Sequence, residues 1–162
     1  MINNNNKRKV SIIGCGCVGA TIAYSLMIKD LVNEIVLIDI NEAYTVGESL
    51  DIRHGISYMG LCDINPGEYK DIVDSDFIII TAGRSRRPNE TRLDMAADNV
   101  LVAKNICGEL KKYYNSGVIL VVTNPVDILT AKIKEFMGLP DGLVFGTGCI
   151  LDIPILSPNI CN

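Results

Sequence analysis

The segment Gly14-Cys15-Gly16-Cys17-Val18-Gly19 follows a short apolar run, Val10–Ile13, and opens a helical pattern, Val18–Ile28. A second apolar run, Ile35–Ile38, then ends on Asp39, twenty residues beyond Gly19. A glycine motif of this form says little by itself. Set between a strand and a helix, with an acid closing the next strand, it predicts a βαβ unit built to hold a dinucleotide. Gly14 is expected to turn the chain sharply out of the strand, and Gly16 to let a pyrophosphate approach the backbone. Gly19 is expected to let the helix pack closely on the sheet. The helix N-terminus, at Cys17 and Val18, offers unpaired N–H groups and a partial positive charge to phosphate. Asp39 can accept hydrogen bonds from both hydroxyls of an adenosine ribose, and it would repel a 2′-phosphate. NAD is therefore expected rather than NADP. The plainer alternative is a glycine-rich turn in an ordinary βαβ unit.

The rest of the chain continues the alternation. Strands are expected near Val10–Ile13, Ile35–Ile38, Phe77–Thr81, Val118–Val122 and Leu143–Phe145, with a weaker one near Cys62–Ile64. Helices fit Val18–Ile28, Val46–Tyr58, Leu93–Tyr113 and Ile128–Met137. In the third helix Val100, Ala103, Cys107 and Leu110 recur at helical spacing. Nearly continuous apolar strands such as Phe77-Ile78-Ile79-Ile80 imply a parallel sheet covered on both faces. About six strands with crossover helices make a doubly wound α/β unit of the Rossmann type. We expect residues 1–8 to form a loose N-terminus, 9–152 the dinucleotide-binding domain and 153–162 an aberrant or truncated tail.

Bulk composition narrows the function. The chain has 162 residues, 48% of them apolar and 21% charged, which suits a globular core. A net charge of −4 gives no general reason to bind nucleic acid. No apolar run approaches the ~20 residues that span a bilayer. The six cysteines include no CxxC pair, and His54 is the single histidine. Reduced thiols in a cytoplasmic protein and no metal site are expected.

A second informative segment runs from Thr81-Ala82-Gly83 through Arg84-Ser85-Arg86-Arg87-Pro88-Asn89-Glu90-Thr91-Arg92-Leu93-Asp94. It leaves the carboxyl end of a strand, where ligands sit in this fold. It holds four arginines within nine residues, an arrangement suited to visiting anions, although a solvated basic loop is the alternative.

With Gly47-Glu48-Ser49-Leu50-Asp51, His54-Gly55, Thr123-Asn124-Pro125-Val126-Asp127, Gly146-Thr147-Gly148 and Leu151-Asp152, these motifs resemble the lactate/malate dehydrogenase family from about Lys9 to Asp152. The resemblance implies NAD as cofactor, with Thr81, Ala82, Gly83 and Asn124 added to Gly14, Gly16, Cys17, Val18, Gly19 and Asp39 as its contacts. It implies that Arg92 polarises the substrate carbonyl and that Asn124 helps hold the substrate and the nicotinamide region. Asp152 matches the carboxylate that pairs with a catalytic histidine, and the arginine loop matches a lid that excludes water. Arg86 stands at the substrate-discriminating position. An arginine there favours oxaloacetate and malate, because a second carboxylate needs a paired charge. The segment from Arg87 to Asp94 otherwise looks lactate-type, so L-lactate dehydrogenase is the alternative.

The family's catalytic histidine and second substrate arginine are not found, since His54 matches the nucleotide domain and Ile155 stands where the arginine belongs. We therefore expect NAD binding with little turnover by this chain alone, and a homo-oligomer in full-length form. A frameshift, a natural truncation or a split enzyme would each explain the change of pattern after Asp152. A non-catalytic nucleotide-binding module is the competing functional class.

Overall fold

A computed structural model of the chain describes residues 8–56, 62–85, 87–88 and 90–148, the side chains of Ile56 and Arg92 excepted. The elements alternate as expected: β1 (Lys9–Ile13), α1 (Cys17–Ile28), β2 (Glu34–Ile38), α2 (Glu42–Ile56), β3 (Asp63–Pro66), β4 (Phe77–Ile80), α3 (Arg92–Tyr113), β5 (Val118–Val121), α4 (Val126–Met137) and β6 (Val144–Gly146). A single 3₁₀ turn, Tyr69–Ile72, leads into β4. The strands form one six-stranded sheet in the order β3-β2-β1-β4-β5-β6, and every pairing is parallel. Among the described residues no helix is long and apolar enough to cross a membrane.

The sheet is buried on both faces, because each central strand sends apolar side chains both ways. Ile13, Ile38, Ile78, Ile80, Ile119 and Val121 face a core completed by Ala103, Cys107 and Leu110 of α3 and Leu129, Ile133 and Met137 of α4. Val10, Ile12, Ile35, Leu37 and Ile79 face the other core, with Ala23 and Met27 of α1 and Ile52 of α2. In α4 the buried residues Val126, Leu129, Ile133 and Met137 fall three or four apart, a single apolar stripe.

Several boundaries differ from the sequence expectation, each for a local reason. The α2 helix starts at Glu42, a turn before the expected Val46, because Asn41 caps it: the Asn41 side-chain oxygen accepts from Tyr44 N at 3.2 Å. The expected end of that helix at Tyr58 lies outside the described residues. The α4 helix starts at Val126 rather than Ile128, directly after Pro125. Strand β3 runs Asp63–Pro66, two residues past the expected end at Ile64; an edge strand tolerates a proline whose missing N–H faces no partner. Strand β6 begins one residue later than expected and ends on Gly146.

The order places a topological switch between β1 and β4, the two central strands from which the chain winds in opposite directions. The loops after β1, β2, β4 and β5 all emerge at the carboxyl end of the sheet around this point, which is where ligands bind in open α/β sheets.

Candidate functional site

The first wall of the site is the turn between β1 and α1. Gly14 has φ +98°, a left-handed conformation that favours glycine, and a Cβ there would lie 2.4 Å from Ala82 N. Its N–H donates to Ile38 O at 2.8 Å, so the turn is fastened to the end of β2. Gly19 is the close-packing position: a Cβ would meet Gly14 O at 2.0 Å and the Thr81 hydroxyl at 2.9 Å. Gly16 behaves differently, since a Cβ there would meet nothing within 4 Å. Gly16 is also the N-cap residue just before α1, and no side chain caps that end of the helix. An open, uncapped helix N-terminus with a bare backbone in front of it fits a pyrophosphate by both space and charge.

Asp39 stands beside this turn, partly buried. One carboxylate oxygen accepts from Cys15 N at 2.8 Å and the other from Asn41 N at 3.0 Å. These two backbone donors fix the carboxylate's orientation, and each oxygen keeps a lone pair for an incoming hydroxyl. This pair of acceptors thus fits the two hydroxyls of a ribose diol.

The two cysteines of the turn have different environments. Cys15 is buried, and its thiol lies 3.6 Å from Ile38 O. Burial, then the charges of Asp39 and Glu48, push that thiol up to about 12, so it stays protonated and inert at neutral pH. Cys17, the first residue of α1, is exposed. Cys62 and Cys107 are buried free thiols of the core.

The second wall comes from the loop after β4. Ala82 N donates to Ile13 O at 2.9 Å, and the Thr81 hydroxyl donates to Gly14 O at 2.6 Å. Beyond Gly83, Arg84 makes a bidentate pair with Glu90 across the arginine loop, with Nη1 to Oε2 at 2.6 Å and Nη2 to Oε1. Arg84 Nε also donates to Asp98 of α3 at 2.7 Å. Glu90 accepts further from Arg87 N at 2.9 Å. The Arg84 guanidinium, followed by the Arg87 N–H, lowers the Glu90 carboxyl from its ordinary 4.5 to about 2. The same pairing raises the Arg84 pKa further. Arg84 is thus a neutralised tie between the two ends of the loop. A capping box then starts α3: the Thr91 hydroxyl accepts from Asp94 N, and Asp94 accepts from Thr91 N. It makes Arg92 the first residue of the helix.

The third wall is the loop after β5, Thr123, Asn124 and Pro125, which contains a cis Asn124-Pro125 bond. The three walls enclose an open cleft of about 590 Å³. Val18, Thr81, Gly83 and Asn124, all expected site residues, line it together with Arg84, Ser85, Met95, Val122, Thr123 and Pro125. Gly14, Gly16, Gly19 and Asp39 form the adjoining turn, and Ala82 lies against Gly14. Arg86, the Arg92 side chain and Asp152 lie outside the described residues. His54 is exposed on α2.

Sequence reasoning missed Ser85, Met95, Thr123 and, above all, Asn99. Asn99 is 1% exposed in the middle of α3. It occupies a core position of the helical stripe between Ala96 and Ala103, both buried. An amide where the period demands an apolar residue was the available signal.

Comparison with known proteins agrees with this geometry. The family described as lactate/malate dehydrogenase, NAD binding domain, matches residues 8–146. An L-lactate dehydrogenase of Acetivibrio thermocellus is 48% identical over 151 residues, 92% of this chain and 48% of that protein. Another from Fervidobacterium nodosum is 52% identical over 144 residues, 89% of this chain and 46% of that protein. The solved structure of a minor L-lactate dehydrogenase from Enterococcus mundtii, in a ligands-bound form, superposes with a TM-score of 0.87 at 38% identity, covering 90% of this chain and 47% of that one. The chain spans about half the length of the curated relatives it matches. Its cofactor is NAD, and the chain belongs to the lactate/malate dehydrogenase family, whose NAD-binding domain it carries.

Proposed function

We propose that this chain is the cofactor-binding half of an enzyme that transfers a hydride between NAD and a small 2-hydroxy acid, with L-lactate and pyruvate as the substrate pair. The observation that carries the proposal is the continuity of the diphosphate-accepting turn with the 590 Å³ cleft that Val18 and Asn124 line. A dinucleotide laid from Asp39 across Gly16 reaches that cleft with its far end. Bound NAD supplies the hydride-accepting chemistry, and the protein's part is to bind, orient and exclude water.

The roles divide among the chain's own residues. Asp39 holds the ribose, and the α1 N-terminus at Cys17, Val18 and Gly19 holds the diphosphate. Thr81, Ala82 and Gly83 back the nucleotide, and Asn124 holds the nicotinamide end. Arg92 polarises the substrate carbonyl, and Asp152 orients a histidine. That histidine is not His54, so the proton-transferring group comes from residues outside these 162. The chain alone then binds NAD with little turnover. Cytoplasmic residence and assembly into a homo-oligomer of the full-length form belong to the same proposal.

Two observations favour lactate over malate. The relatives at 48% and 52% identity carry the name L-lactate dehydrogenase. Arg84 is bound to Glu90 and Asp98, so its charge is not left for a second substrate carboxylate. Arg86 favours the second reading, malate and oxaloacetate, because an arginine at that position can pair a second carboxylate. A chimera decides between them: residues 8–148 replace the matching domain of the Acetivibrio thermocellus enzyme, and kcat/KM is compared for pyruvate and oxaloacetate. The lactate proposal expects pyruvate to be preferred. A preference for oxaloacetate that Arg86→Gln reverses would establish the malate reading instead.

A further inference from the structure

Asn99 touches both loops that frame the cleft without lining it. Its side-chain oxygen accepts from Arg84 N at 2.9 Å. Its Nδ2 donates to Arg84 O at 3.3 Å and to Asn124 O at 2.8 Å. Both functions of the amide are therefore used, and no isosteric side chain supplies this combination of one acceptor and two donors. The site is built around it. A Cβ on Gly83 would lie 3.4 Å from the Asn99 side-chain oxygen and 2.3 Å from the Thr123 methyl, so these elements meet with no space to spare. The Thr123 hydroxyl, donating to Ala82 O at 2.9 Å, is a second tie between the same two loops.

We propose that Asn99 is a positioning residue for the nicotinamide end of the site, acting through the backbone of Asn124. The Nδ2 donor fixes the Asn124 carbonyl, and with it the direction in which the exposed Asn124 side chain enters the cleft. The amide oxygen anchors the root of the arginine loop to the same point of α3. The half of the site that holds ribose and diphosphate has its own supports, Asn41 N and Cys15 N on Asp39 and Thr81 on Gly14. Asn99 therefore governs one end of the cofactor and leaves the other alone. This inference rests on the NAD reading of the cleft.

Asn99→Asp tests it. The carboxylate keeps the acceptor for Arg84 N but turns lone pairs toward the Arg84 and Asn124 carbonyls, which repel it. The 162-residue chain is titrated with NADH and with ADP-ribose, which lacks the nicotinamide. The expected result is an NADH Kd raised about tenfold, with the ADP-ribose Kd changed less than about twofold. Equal weakening of both ligands, as a general loss of structure would give, overturns the proposal; so does no change in either. Should Asn99→Asp fail to fold, Asn99→Ala carries the test, with the same split expected. A wild-type chain that binds neither ligand overturns the cofactor reading, and the positioning role with it.

Discussion

Two glycines of one turn, three residues apart, are expected to fail in opposite ways. At Gly19 an added methyl would lie 2.0 Å from Gly14 O and 2.9 Å from the Thr81 hydroxyl. The first is a backbone atom that cannot swing aside, so α1 must move off the sheet. Overpacking of this kind costs about 1–3 kcal/mol. Moving Gly14 O also breaks its 2.6 Å bond from Thr81, worth about 1 kcal/mol more. The better helix propensity of alanine returns roughly 0.5–1 kcal/mol. The net loss for Gly19→Ala is about 1–3 kcal/mol, a fall of about 3–10 °C in Tm for a domain of this size. At Gly16 the methyl would meet nothing within 4 Å, and φ is an ordinary −62°. Gly16→Ala should therefore cost at most about 1 kcal/mol of stability. Its methyl instead occupies the space in front of the helix N-terminus and should weaken NADH binding more than about tenfold. Melting followed by circular dichroism gives the stability, and NADH fluorescence gives the affinity. A Gly19→Ala chain as stable as wild type would refute the packing argument. A Gly16→Ala chain that binds NADH normally would refute the diphosphate cradle.

Other consequences follow from the same geometry. Asp39→Ala should weaken NADH binding about tenfold or more and narrow the preference over NADPH, as read in parallel titrations; unchanged selectivity would remove Asp39 from the ribose. The Glu90 carboxyl is held from 4.5 down to about 2 in the folded chain. A depressed folded pKa contributes stability that is present above about 4.5 and lost as pH falls toward 2. Acid denaturation should therefore show a loss across that window in wild type that is smaller in Glu90→Gln. On brief treatment with iodoacetamide, peptide mapping should find Cys17 labelled and Cys15 untouched, and saturating NADH should slow labelling at Cys17. Labelling at Cys17 that ignores NADH would place the cofactor elsewhere.

Much of this architecture is legible in the sequence because the strong signals are local. The apolar runs of β1, β2, β4 and β5 and the punctuation of Gly14 to Gly19 each follow from a few adjacent residues. What escaped was set by neighbours distant in the chain. Pro66 reads as a break until β3 is known to be an edge strand. Asn41 caps α2 through a side chain whose role depends on where the preceding strand stops. Asn99 lies 15 residues from Arg84 and 25 from Asn124, so its bonds to them come only from folding. The charge of the arginine loop is the clearest case. A count of arginines treats Arg84 as a free cation, whereas the fold spends it on Glu90 and Asp98.

The most direct test of the account is a titration of the purified chain with NADH and with NADPH, followed by the fluorescence of the reduced nicotinamide itself. The chain has no tryptophan, so indole emission does not complicate the signal. Saturable NADH binding, with NADPH weaker by about tenfold or more, is the predicted outcome, because Asp39 accepts a diol and repels a 2′-phosphate. Equal affinities, or no saturable binding of either nucleotide, would contradict it.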